Sequence, residues 1–256
     1  MSLTATVHPS AVVARDAELG EGVIVGPYVT IETGVVVGEN TVLETGTVLH
    51  AGSRVGAGCR LGPYAVVGGR PMDTAFRGEP SFAVLEHGVT LREFATVHRA
   101  SGEGRETRVG AETLAMSYVH VSHNARVGKE CTLTTQVQLG GHTEIGDYAV
   151  VGSSAIFHQH SRVGAYAMVG AGSAANQDVL PFSMARGNPA RHYRLNRVGL
   201  KRRGFSGERY AALERAIRAF RHRDWVLLDE LAEISDDVRG MLEFERASKR
   251  GVSSFF

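Results

Sequence analysis

The sequence predicts an all-β solenoid, a parallel β-helix of six-residue units with a C-terminal α-helical tail, on three observations. An aliphatic residue returns at every sixth place through most of the chain. Glycine is abundant (31) while aromatics are few (7%). Near Pro181 the period of six stops and helical spacing replaces it. A repeat unit of this kind cannot bury its apolar residue alone, so stacking is what gives it a core.

The units are legible from Ala5 as ATVHPS, AVVARD, AELGEG, VIVGPY and onward to AVVGGR. Their third places run Val7, Val13, Leu19, Val25, Ile31, Val37, Leu43, Leu49, Val55, Leu61 and Val67, an unbroken aliphatic series. The fourth place is most often glycine (Gly20, Gly26, Gly38, Gly56, Gly62, Gly68), as expected where a chain turns sharply or needs positive φ. First places are small or β-branched. A break from Pro71 interrupts the count, giving an external loop over about 71–82, and the sixes resume at Val89. A polar SGEGRE loop covers 101–106. The pattern then runs from Thr107 with inward places Val109, Ala115, Val121, Val127, Leu133, Leu139, Ile145, Val151, Phe157, Val163, Val169 and Ala175. Three sixes make one triangular coil, so the chain holds about eight coils and a prism of order 40 Å long.

Residues 1–182 are thus the β-helix and 183–256 a basic linker and helical domain. RHYRLNRVGLKRRGF (Arg191 to Phe205) is basic and Ser206 has the character of a helix cap. Tyr210, Leu213, Ile217 and Phe220, then Leu227, Leu228 and Leu231, then Val238, Met241, Leu242 and Ala247, recur at helical intervals.

Composition narrows the function. Lys+Arg (28) balance Asp+Glu (27), so no global field draws the chain to nucleic acid or a charged membrane. No run reaches the roughly 18 apolar residues of a membrane span, and MSLTATVHPS lacks the basic start and apolar run of a signal peptide. The two cysteines, Cys59 and Cys131, sit far apart in sequence and make no metal or disulfide framework, which fits a reducing, cytoplasmic setting.

The coil turns sequence separation into neighbourhood. Residues 18 apart share an edge, so His123, Gly141 and Gln159 form one file and Asn124, His142 and His160 the next. His120 shares a six with His123, His158 adjoins Gln159, and His98 precedes the second loop. Single histidines on a repeat surface are ordinary turn residues, but a file of them set by an independent count points to chemistry. Three histidines near one edge can bind zinc. Gln159, Asn124 and Gly141 among them suit sugar and oxyanion contacts better, and no metal is expected. An alcohol attacking a thioester needs a base near neutrality and a donor for the developing oxyanion. His123 and Gly141 match those needs, with no serine or cysteine placed as a covalent nucleophile.

The chain resembles the bacterial UDP-N-acetylglucosamine O-acyltransferases, hexapeptide-repeat enzymes that begin lipid A synthesis. The likeness rests on VHPSAVV, DTAFRGEP (73–80), TVHRAS (96–101), YVHVSHNARVG (118–128), QLGGHTEIGDYAVVG (138–152), AIFHQ (155–159), NQDVLPF (176–182), GNPA (187–190) and GLKRRGFS (199–206). The resemblance implies a left-handed helix and transfer of a 3-hydroxyacyl chain from acyl carrier protein to the sugar 3-hydroxyl, with no cofactor. It implies His123 as general base and Gly141 as oxyanion donor. Asp73, His98, His120, His142, His158, Gln159, Asn196 and Arg202 would contact the nucleotide sugar or line its cleft, and Met168 and Ala171 would limit acyl-chain length. It further implies a homotrimer with sites between subunits, and docking of acyl carrier protein on Arg191, Arg194, Lys201, Arg202 and Arg203. The chain departs from the family pattern at Asn124, where an acid is usual, at Ala75, where a lysine is, and at Val198, where an acid is. Those departures leave a 3-amino nucleotide sugar, or another acyl donor, as the alternative.

Overall fold

The computed structural model describes residues 5–256. It is a left-handed parallel β-helix whose walls are three sheets of very short strands, capped by four helices. Face 1 begins with the strand Thr6–Val7, face 2 with Val12–Val13 and face 3 with Glu18–Leu19, and successive strands visit the faces in turn. The register is that of an 18-residue coil: Thr6 pairs with Ile24, Thr30 with Val48, and His120 with Gln138. Across the external loop Arg60 pairs with Thr90, and across the second loop Thr96 pairs with His120. Both loops are therefore insertions at a corner that leave the prism continuous.

The third-place residues form the core column. Val25, Ile31, Leu43, Leu61, Leu91, Leu133 and Leu139 are all buried. Full burial of each such side chain contributes about 1.5–3 kcal/mol. First places point inward too, and most polar ones there donate to carbonyls of their own or adjoining coils, while Thr143 Oγ1 has no protein partner. Thr41 Oγ1 donates to Gly56 O at 2.8 Å and Ser53 Oγ to Val67 O at 3.0 Å. The two cysteines fill the same place, with Cys59 Sγ 3.0 Å from Glu86 O and Cys131 Sγ 3.2 Å from Gly146 O. Burial pushes their thiols up to about 11 and about 12, so they are inert packing residues.

Three expectations change. The helix resumes at Phe82–Leu85, one unit before Val89: Ala83 and Leu85 are buried, and this strand joins Ser53–Val55 to Glu106–Val109. The unit AVLEHG directly follows the external loop, whose irregular length breaks the count of six. Most fourth-place glycines also have a different reason from positive φ. A β-carbon at Gly38 would lie 2.5 Å from the backbone nitrogen of Ala57, so glycine is what lets adjacent coils approach. Positive φ belongs to the sixth place, and many residues there are not glycine: Tyr28, Tyr64, Phe94, Tyr118, Asn124, His142, His160 and Tyr166 are among them. Finally, the stretch from Arg191 is a strand. Ser183–Arg186 extends face 1 beside Met168–Val169, and Arg191–Leu195 pairs antiparallel with it. The alternation of exposed Arg191 and Arg194 with buried His192 and Leu195 is what fits a strand on a covered surface.

The tail is α1 (Arg197–Arg202), α2 (Gly207–His222), α3 (Trp225–Ile234) and α4 (Asp236–Arg246). Its core of Leu200, Leu213, Ile217, Phe220, Leu228, Leu231, Met241 and Leu242 is continuous with Leu180, Phe182 and Leu195 at the end of the prism. Asp224 and Ser235 cap α3 and α4 through their side chains, whereas Ser206 stands at the N-cap of α2 without a side-chain cap bond. Buried Asp178 bonds Arg162 on the prism and Ser248 after α4, and His192 Nδ1 donates to Ser253 O at 2.7 Å. These contacts fasten the tail to the last coil. No helix among the described residues is long and apolar enough to cross a membrane.

Candidate active site

The corner after face 2 gathers the histidines. The β-helical register stacks His98, Ser122, Gly140 and His158 in fourth places, Arg99, His123, Gly141 and Gln159 in fifth places, and Ala100, Asn124, His142 and His160 in sixth places. His123 is buried, and its two ring nitrogens have separate surroundings. Nδ1 lies 2.9 Å from Asn124 Oδ1 and 3.9 Å from Asp73 Oδ2. Nε2 faces the coil above, where a β-carbon on Gly141 would stand 2.6 Å from it. Glycine at 141 is thus a condition for the ring to occupy its position.

Some fifth-place amides are closed off by an acidic side chain, and that of Gly141 is not. At Ala51, Ala111 and Lys129 the backbone N–H is capped by Glu32, Glu86 and Asp147. Among the described residues no protein acceptor takes the Gly141 N–H, while its carbonyl accepts from His160 N–H at 3.0 Å. Ser122 occupies the fourth place one coil below, where Glu32 stands beneath Ala51 on the same edge. A free donor beside an imidazole is the arrangement an oxyanion requires.

Other rings surround His123. His142 meets it edge-on at 5.4 Å and stacks on His160 at 4.5 Å. His98 and His120 lie edge to face at 4.9 Å, with His120 Nδ1 2.8 Å from Thr96 Oγ1. His98 Nδ1 and His120 Nε2 are buried without a protein partner, so each can bond a bound molecule or water. Burial holds His98 and His142 below the usual range and pushes His120 down to about 4. All three rings are therefore neutral hydrogen-bonding groups near pH 7.

Both loops close on this corner. Asn124 Oδ1 accepts from Ser101 N–H at 3.0 Å, and its Nδ2 donates to Ser101 O at 2.9 Å. Asp73 accepts from Ala75 N–H at 2.9 Å and from the Ser101 hydroxyl, and these bonds hold its carboxyl below the usual range. Glu79 Oε1 takes Gly102 N–H at 2.7 Å, tying the external loop to the second loop. Thr96 and Ser101 are site residues that the pattern of histidines did not reveal. Thr96 was findable as the outward neighbour of His120 one coil below. Ser101 depended on how two irregular loops fold.

One chain thus brings together His123, Gly141, Asp73, His98, His120 and His142, with His158 and Gln159 exposed in the turn above. It does not bring the remaining predicted residues to this corner. Asn196 caps α1 by accepting from Gly199 N–H at 3.2 Å, and its Nδ2 donates to Tyr166 O at 2.8 Å, on the corner after face 3. Arg202 is exposed at the end of α1. Met168 lies on face 1 and exposed Ala171 on the corner after it. Among the basic residues, Arg203 is held by Glu130 at 2.5 Å and lies over Tyr148. Among the described residues no three histidine, cysteine or carboxylate side chains form a set able to hold a metal ion.

The fold is that of a hexapeptide-repeat protein, and an imidazole beside a free amide at one corner suits acyl transfer. Comparison with known proteins supplies the particular family. A model of six hexapeptide repeats matches residues 34–69, and one for the second domain of UDP-N-acetylglucosamine O-acyltransferase matches residues 178–253. The acyl-[acyl-carrier-protein]–UDP-N-acetylglucosamine O-acyltransferase of Halorhodospira halophila is 40% identical over 254 residues, covering 96% of this chain and 98% of that protein. That of a Sulfurihydrogenibium species is 50% identical over 254 residues, covering 96% and 94%. Among solved structures, the UDP-N-acetylglucosamine acyltransferase of Campylobacter jejuni superposes with a TM-score of 0.90 at 32% identity, covering 98% of this chain and 100% of that one. The Francisella novicida enzyme gives 0.93 at 29%, covering 97% and 94%. The chain belongs to the acyl-[acyl-carrier-protein]–UDP-N-acetylglucosamine O-acyltransferase family and is an acyltransferase.

Proposed function

We propose that the protein transfers a 3-hydroxyacyl chain from acyl carrier protein to the 3-hydroxyl of UDP-N-acetylglucosamine, the opening step of lipid A synthesis, with His123 as general base. The observation that carries this reading is the pair of roles on one ring: Asn124 Oδ1 holds Nδ1–H, which leaves Nε2 bare beside Gly141. His123 Nε2 takes the proton of the sugar hydroxyl as its oxygen bonds to the thioester carbon. The carbonyl oxygen becomes an anion and is met by the Gly141 N–H. Collapse breaks the C–S bond, and the proton passes from Nε2 to the departing thiolate. No covalent enzyme intermediate and no cofactor are needed.

The site is completed by a neighbouring copy in a homotrimer. Asn196 and Arg202 stand by a different corner of the prism from His123, so they reach a sugar held there only from another subunit. Tyr28, Tyr64, Phe94 and Tyr118 support the assembly: they line the corner after face 1, are exposed, and the last three stack in series at 5.4 and 5.0 Å. A contiguous exposed aromatic edge is the kind of surface that oligomers cover. Lys201, Arg202 and Arg194 remain exposed for the acidic carrier protein.

The deciding experiment incubates the protein with a panel of acyl carrier protein thioesters and UDP-sugars and reads products by mass spectrometry. A 3-O-acyl UDP-N-acetylglucosamine is expected, with kcat lowered about 10²-fold or more in His123→Ala. Full turnover by that variant would remove the general-base reading. Exposed Ala75 and Val198, which carry no polar group toward an acceptor, favour a second reading in which the acceptor is the 3-amino analogue. A clear preference for UDP-N-acetylglucosamine over that analogue would dismiss it.

A further inference from the structure

His123 must become a cation while it holds the sugar proton, yet the residue that grips its Nδ1 is neutral. Asn124 does two jobs that a carboxylate could not combine. Its Oδ1 accepts from Nδ1 and from Ser101 N–H, and its Nδ2 donates to the Ser101 carbonyl. A carboxylate has no N–H for that last bond, so aspartate here would lose one of the two bonds that tie Ser101 to the corner. Asn124 also sits at φ 59°, a conformation asparagine tolerates better than most residues. The loop is thereby anchored and the tautomer of His123 fixed, but the charge of its protonated form is left without a counter-ion at this position.

We propose that Asp73, on the external loop, is a positioning residue that supplies this counter-charge and so stabilises protonated His123 in the transition state. This rests on the reading of His123 as general base. Asp73 Oδ2 is 3.9 Å from the same Nδ1 that Asn124 holds. Its carboxylate is fixed by Ala75 N–H and the Ser101 hydroxyl, the same serine that Asn124 grips through its backbone. Ser101 therefore ties both partners of His123 to one point. The other titratable groups around the ring offer no negative charge. His98 lies one coil below and His120 on the same coil, His142 and then His160 lie above, and Arg105 acts on His142. Asp73 is the carboxylate within ion-pair distance of His123 among the described residues.

The test is a rescue across the corner, with the fold of every variant checked by its melting temperature. Asp73→Asn keeps shape and removes charge. It is expected to lower kcat about tenfold and to move the acid limb of the kcat/KM profile to lower pH, because the imidazolium loses its partner. Asn124→Asp placed in the Asp73→Asn background returns a carboxylate to Nδ1. It is expected to restore most of the rate and move the limb back up, measured against Asn124→Asp alone to account for the lost loop tether. If Asp73→Asn raises KM with the limb unmoved, or if the double variant stays as slow as Asp73→Asn, Asp73 is a substrate contact only and the proposal is overturned. Loss of the general-base reading would show separately, as activity surviving in His123→Ala.

Discussion

Two corners of the same prism share one backbone geometry and are put to opposite uses. On the corner after face 3 acidic side chains cap turn amides and aromatic rings stack. Glu86 caps Ala111 N–H and pairs with Arg108, Asp147 caps Lys129 N–H, and Tyr148, Tyr166 and Phe182 stack in file beneath the helical tail. On the corner after face 2, around residues 98–160, valences are left open: the Gly141 N–H, His98 Nδ1 and His120 Nε2 have no protein partner. The difference teaches that the repeat supplies position while chemistry comes from what the coil declines to satisfy. Buried groups without partners cost stability, and a protein retains them where a substrate completes them.

That contrast can be broken by substitution. The largest effect is expected at Gly141. Its alanine would place a β-carbon 2.6 Å from His123 Nε2, so the ring must move. Gly141→Ala should lower kcat about 10²-fold while the melting temperature changes little, as steady-state kinetics beside calorimetry would show. Next is the division of the site between subunits. His123→Ala and Arg202→Ala should each be nearly inactive, and co-refolded mixtures should regain a fraction of wild-type turnover. A mixture as inactive as its parts would place the whole site within one chain.

A smaller effect concerns pH. Burial lowers His120 to about 4 in the fold, against about 6.5 in an unfolded chain. Between those values the unfolded state binds the extra proton, so this contribution is full above about 6.5 and is lost as pH falls toward about 4. Melting temperature should fall through that window, and less steeply in His120→Asn, which retains a hydrogen-bonding group toward Thr96. The smallest effect belongs to the closed corner. Glu86→Ala removes the cap on Ala111 and the bond to Arg108, and should cost about 1 kcal/mol in denaturant unfolding with kcat unchanged.

Much of this is legible in the sequence. The aliphatic third places gave the coil, and the coil alone put His123 beneath Gly141 and Asn124 beneath His142. The reading failed where the chain leaves the period. The unit beginning at Ala83 is not legible because it directly follows a loop whose length breaks the count of six. Glycine also has a reason the sequence does not separate: contact between coils demands it in the fourth place, while positive φ is borne in the sixth by asparagine, histidine and tyrosine. The 191–195 strand was hidden by its arginines, since a strand covered on one face reads as basic and irregular when only the other face is conspicuous.

What the sequence determined by itself was everything that follows from a fixed period. Residues 18 apart must stack when each coil returns to the same hydrogen-bonding edge, so the fold, the core and the histidine file needed no further information. What only the tertiary structure decided lies in the excursions. That Asp73 swings back to 3.9 Å from His123, and that Ser101 joins it to Asn124, follows from two loops with no repeat to constrain them. Their path is set by particular hydrogen bonds between residues distant in sequence, and no local pattern records those.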